Sequence, residues 1–121
     1  MNEQDKEKIE NIISDRKHAH SFFSKESEVY RRFVQMEEKT FSDGNLKKKY
    51  KELIALGISI VINCESCMQW HVGEAIKSGA SFEELIESIE VGIEMGGGPA
   101  TVSSRFALKV MEYYKKKGLL K

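Results

Sequence analysis

Apolar side chains recur at three- and four-residue spacing along almost the whole chain, and a single proline, Pro99, stands among 121 residues. That period is the signature of amphipathic helices. An all-β chain of this length usually needs more turn formers, whereas a helical one tolerates a single proline easily. The pattern therefore predicts an all-α fold of about six helices in one domain, residues 1–121.

The boundaries follow from local chemistry. A charged helix is predicted over 3–17, with Ile9, Ile12 and Ile13 on one side and a break at Ser21 to Ser24. A second is predicted over 26–41, after which Ser42-Asp43-Gly44 forms a turn in which Ser42 or Asp43 can cap the next helix. A third, over 45–62, ends in Leu53 to Ile62, a run apolar on every side that predicts burial all round. Its rival is a strand at 58–62, ranked lower because the helical period leads into it without a turn signal. Gly57 would admit a neighbouring helix closely. Asn63 is the expected N-cap of a fourth helix over 64–77. Ser81 to Glu84 reads as a capping box opening a fifth over 82–95. The run Gly96-Gly97-Gly98 breaks the chain, and Pro99 suits the first turn of a last helix. That helix runs to about Lys117, with Val102, Phe106, Val110 and Tyr113 inward, before Gly118 ends it. Val91 and Met95 lie off the main stripe of the fifth helix. So much apolar helix surface is hard to bury in a small monomer, and a homo-oligomer is expected.

Nineteen basic and nineteen acidic side chains cancel, which removes the electrostatic motive for nucleic acid or anionic membrane as a partner. Leu53 to Ile62 is too short to span a bilayer, and the charged N-terminus lacks the apolar core of a signal peptide. The expected location is the cytoplasm. Two cysteines there point to catalysis, redox chemistry or metal binding before a structural staple.

Both cysteines fall in Cys64-Glu-Ser-Cys67-Met-Gln-Trp-His71. At about 100° per residue, positions 64, 67 and 71 share one face of a helix. The first turn of that helix stabilises anions, which suits a thiol that reacts as its thiolate. His71 lies one turn beyond Cys67 as a proton-transfer group. Glu52, where the polar face of the third helix gives way to its apolar half, is the candidate partner for the imidazole. Burial there predicts a raised carboxyl pKa.

Glu52, Cys64, Cys67 and His71 together resemble the Glu-x11-Cys-x2-Cys-x3-His pattern of the AhpD-like alkylhydroperoxidases of the carboxymuconolactone decarboxylase superfamily. Lys51-Glu-Leu-Ile-Ala-Leu before the pattern and Gly96-Gly-Gly-Pro-Ala100 after it resemble the same family. The likeness covers roughly 30–115, with an N-terminal helical extension at about 1–25. It implies that Cys67 attacks a hydroperoxide and becomes a sulfenic acid, and that Cys64 closes the disulfide. It further implies that His71 and Glu52 relay the proton and that an external dithiol or protein reductant restores the thiols. No cofactor is implied, and assembly as a trimer or hexamer is.

Other readings remain beside this one. The superfamily also contains lactone decarboxylases, but that branch generally lacks the paired cysteines. A non-catalytic helical assembly protein could use the dithiol as a redox sensor. Zinc could take Cys64, Cys67, His71 and Glu52, but no second Cys-x-x-Cys is present. Haem attachment is excluded by Met68 after Cys67. His18 and His20, Lys47 to Lys49 and Lys115 to Lys117 read as solvated surface, and Trp70 as core or subunit interface. The glycine run lacks the strand and the lysine of a phosphate loop.

Overall fold

A computed structural model describes residues 1–121 as six helices and no strand. They are α1 (Glu3–Glu26), α2 (Glu28–Thr40), α3 (Lys48–Val61), α4 (Glu65–Lys77), α5 (Phe82–Gly96) and α6 (Gly98–Lys116). α3 is the central helix and packs against α4, α5 and α6, while α1 lies across α4 and α6. The core between them holds Ile9, Leu56, Ile60, Met68, Val72, Leu85, Val110 and Met111. No helix is long and apolar enough to cross a membrane.

Three boundaries differ from expectation, each for a local reason. α1 does not break at Ser21 to Ser24 but runs on to Glu26. Serine disfavours a helix interior only weakly, so Ser21 and Ser24 stay helical. Ser27 makes the break instead, ending α1 and capping α2 by accepting the Tyr30 N–H at 3.0 Å. His20 is exposed, as expected, and its Nδ1 meets the Tyr30 hydroxyl at 2.8 Å across the two helices. α3 starts at Lys48, where the Asp43 carboxylate accepts the Lys48 N–H at 2.7 Å. Asn63 is not the cap of α4. It adopts a left-handed conformation, φ 54°, which asparagine tolerates better than most residues, and the cap passes to Cys64. The Ser81–Glu84 capping box and the position of Pro99 are as expected.

The apolar half of α3 is not buried all round. Leu56 and Ile60 face the core, but Ile54, Ile58, Val61 and Ile62 are each about half exposed. With Val91 and Met95 of α5, Ile54, Ile58 and Val61 line a groove of about 690 Å³. Val102, expected inside, is also exposed, whereas Phe106, Val110 and Tyr113 are buried. α2 buries none of its residues, and Val29, Phe33 and Met36 project from it.

The contact of α3 with α5 depends on two glycines. A Cβ on Gly92 would stand 2.8 Å from the Gly57 carbonyl oxygen and 3.0 Å from the Ile60 Cβ. Backbone and a β-branched side chain cannot yield cheaply, so Gly92→Ala should destabilise the fold by about 1–3 kcal/mol in urea unfolding. Gly98→Ala, where an added Cβ meets nothing within 4 Å, is the matched control and should change far less.

Candidate active site

The site begins at the turn between α3 and α4. Because Asn63 reverses the chain in a left-handed conformation, Cys64 enters α4 as its N-cap. Its sulfur accepts the Cys67 N–H at 3.2 Å, in the place a serine or aspartate oxygen usually takes. Cys64 and Cys67 are joined in a disulfide, with their Cα atoms 5.2 Å apart. Both sulfurs thus sit at the positive end of α4, half-buried rather than enclosed.

One turn further on, His71 turns Nδ1 to Glu52 Oε1 at 2.6 Å. The carboxylate accepts the Nδ1–H, which leaves Nε2 as the nitrogen that can take up or deliver a proton. The imidazole lies against the Phe41 ring, centroids 5.3 Å apart. In this oxidised form His71 makes no direct hydrogen bond to either sulfur, so the pairs Glu52–His71 and Cys64–Cys67 are linked through the first turns of α4.

Glu52 is 1% exposed, and its second oxygen is held as firmly as the first, by Lys48 Nζ at 2.6 Å. Lys48 also reaches Glu74 Oε1 at 3.4 Å. Burial pushes the Glu52 carboxyl up, but the hydrogen bonds and positive charge of His71 and Lys48 outweigh it and hold the group below the usual carboxylate range. The raised pKa expected from burial is therefore overturned. The missing influence is Lys48, one helical turn before Glu52 on the same face, a spacing legible in the sequence. Lys48 is itself displaced: burial works to lower it, and Glu52 and Glu74 raise it above the usual lysine range. Lys48 and Lys49 are accordingly not plain solvated surface, since Lys49 pairs with Glu84 at 2.9 Å.

Glu52 lines a cleft of about 270 Å³ together with Lys48, Phe41, Trp70, Glu37 and Glu74. The half-buried Trp70 thus borders the cleft. No three His, Cys, Asp or Glu side chains converge in a way that would hold a metal ion.

A short all-α domain with a disulfide-forming Cys-x-x-Cys at a helix start, backed by a buried Glu–His pair, is a recognisable class of protein. The sequence pattern of the carboxymuconolactone decarboxylase family matches residues 27–110, and the chain belongs to that family. An uncharacterised protein of Cupriavidus necator is 36% identical over 72 residues, which span 60% of this chain and 61% of that protein. A carboxymuconolactone decarboxylase family protein from Legionella pneumophila has a similar structure, with a TM-score of 0.79 and 31% identity over 90% of this chain and 96% of that one. A family member from Thermotoga maritima, for which an involvement in antioxidative response has been suggested, gives a TM-score of 0.81. It is 26% identical over 90% of this chain and 96% of its own.

Glu52→Gln should cost about 2 kcal/mol of stability near neutral pH, because it withdraws a charged acceptor from Lys48 and His71. A carboxylate whose folded pKa is depressed stabilises above its unfolded pKa and loses that contribution as pH falls through the folded value. Urea unfolding across pH should therefore show the gap between wild type and Glu52→Gln constant near neutrality. The gap should narrow below the ordinary carboxylate range.

Proposed function

We propose that the protein is a dithiol peroxidase or disulfide oxidoreductase acting on hydroperoxides. The observation that carries this reading is the Glu52–His71 hydrogen bond, one turn from a Cys64–Cys67 pair that closes into a disulfide. The Cys67 thiolate attacks the O–O bond of the hydroperoxide. One oxygen stays on sulfur as a sulfenic acid, and the other leaves as an alkoxide that takes a proton through His71, with Glu52 holding the ring. Cys64 then displaces the sulfenic oxygen as water and forms the disulfide, ahead of over-oxidation. An external dithiol, small or carried by a protein, returns both thiols by exchange. The antioxidative response suggested for the Thermotoga relative supports the same direction.

One observation favours a second division of labour. The Cys67 N–H points at Cys64 Sγ, and that hydrogen bond would stabilise a thiolate on Cys64. The proximity of His71 to Cys67 along the helix favours the first assignment.

Added hydroperoxide should consume both free thiols and yield one internal disulfide. The Cys64→Ser protein should accumulate a sulfenic acid on Cys67 that dimedone traps, while Cys67→Ser should form none and lose turnover. The opposite pattern would assign the attack to Cys64. His71→Ala should slow peroxide reduction about a hundredfold. Thiols untouched by peroxide, with loss of CO2 from a carboxylated lactone, would place the protein among the decarboxylases instead.

We further propose that the apolar groove between α3 and α5 is filled by α2 of another copy. α2 presents Val29, Phe33 and Met36 to solvent with Arg32 beside them, and the groove carries Glu87 with its apolar wall. Sedimentation should give a mass above that of one chain, and either Phe33→Glu or Ile58→Glu should dissociate the assembly. A monomeric wild type would overturn this arrangement.

A further inference from the structure

The two residues between the cysteines are both gripped by α1, from outside the segment that the family pattern matches. Lys8 Nζ meets Glu65 Oε1 at 2.9 Å. Arg16 Nη2 donates to the Ser66 carbonyl at 2.8 Å and to its hydroxyl at 2.9 Å. The other arm of Arg16, Nη1, donates to the Gln69 side-chain oxygen. Gln69 is 3% exposed and passes its own N–H to the Tyr114 hydroxyl of α6 at 2.7 Å. The guanidinium also stacks on Trp70, 5.2 Å from the ring centre.

Every hydrogen-bond acceptor of Arg16 is neutral. A partly buried cation without a carboxylate against it keeps its field for whatever lies nearby, and in a low-dielectric setting that field is weakly screened. Ser66, which Arg16 grips, lies with Glu65 in the segment between the two cysteines. Lys8 meanwhile pairs with Glu65, the one acidic side chain between the cysteines.

We infer that Arg16 is a positioning residue for the dithiol: it fixes the Cys64–Cys67 turn and stabilises the reduced pair as its thiolate. The inference rests on the proposed redox role of the pair. Stabilising the thiolate stabilises the dithiol relative to the disulfide, and so makes the disulfide the stronger oxidant. The other titratable groups around the turn include His71 on α4, Glu52 and Lys48 on α3, Tyr114 on α6 and Glu37 on α2, the last two of which act on Arg16 itself. None of them touches the Ser66 carbonyl or hydroxyl, which isolates the effect of Arg16.

The test uses the reduced full chain and needs no peroxide, so it remains readable in a protein that never turns peroxide over. The pH profile of iodoacetamide alkylation, with the first-labelled cysteine located by mass spectrometry, reads the thiolate. Equilibration with glutathione buffers reads the potential. Arg16→Ala should slow alkylation at pH 7 by about three- to tenfold, move the midpoint of the profile upward and make the disulfide harder to reduce. Arg16→Lys, which keeps the charge and loses the fork, should restore most of the midpoint. Arg16→Met keeps the stem over Trp70 and serves where the alanine variant does not fold; it should behave as the alanine. A midpoint and a potential unchanged in folded Arg16→Ala or Arg16→Met would overturn the inference. So would equal displacement in the lysine and methionine variants, because charge would then not be the agent.

Discussion

A carboxylate buried to 1% exposure has to be paired or give up its charge, and the way Glu52 is paired organises the rest of the site. One oxygen goes to His71 on α4 and the other to Lys48 one turn back on α3. The first bond joins α3 to α4 across the turn that carries the cysteines. It also sets the tautomer of His71 and aims Nε2 away from Glu52. The second keeps Glu52 charged, so that the imidazole is held by an anion rather than by a neutral acid. Burial alone would have made Glu52 a weak orienting group. Burial together with Lys48 makes it a fixed negative charge at a fixed distance.

The sulfurs depend on a different device. Asn63 in its left-handed conformation lets the chain re-enter a helix at once, and this makes a cysteine the N-cap. A sulfur in that place accepts a backbone N–H and feels the helix terminus together with its partner three residues on. The glycines at 57 and 92 contribute from the far side. By letting α5 press against α3, they leave α3 little freedom to shift beneath α4.

Much of this was legible in the sequence alone. The all-α class, the six helices, the capping box at Ser81 and the close approach at Gly57 all come from local periodicity and turn chemistry, which do not depend on the rest of the chain. Placing Glu52 beside His71 rested on its position where the polar face of the third helix gives way to the apolar half, with the family pattern in support, and the contact is present. What escaped was set by tertiary context. The apolar tail of α3 could not reveal which of its faces would stay open, because the composition of a helix does not say how many neighbours it will have. The sign of the Glu52 shift needed the distance to Lys48, and the i−4 spacing pointed to that lysine without showing that its ammonium would reach a buried oxygen.

The role of α1 is the clearest case of information absent from local sequence. Arg16 lies 50 residues from Ser66, and nothing in its surroundings marks it out from Lys8, Lys17 or any other cation on a charged helix. Read alone, residues 1–25 are an appendage. Docked, they supply Ile9 to the core and set two cations over the two residues between the cysteines. The packing of Ile9 and the reach of Arg16 are coupled, since a helix held by one buried isoleucine and one forked guanidinium cannot slide by a turn without losing both. An arrangement that merely anchored α1 would be satisfied by any acceptor on the surface of α4. Here Nη2 of Arg16 closes on the backbone carbonyl and the hydroxyl of Ser66, in the segment between the cysteines, with no carboxylate ion-paired to it, and that placement is what ties the anchor to the chemistry inferred for the dithiol.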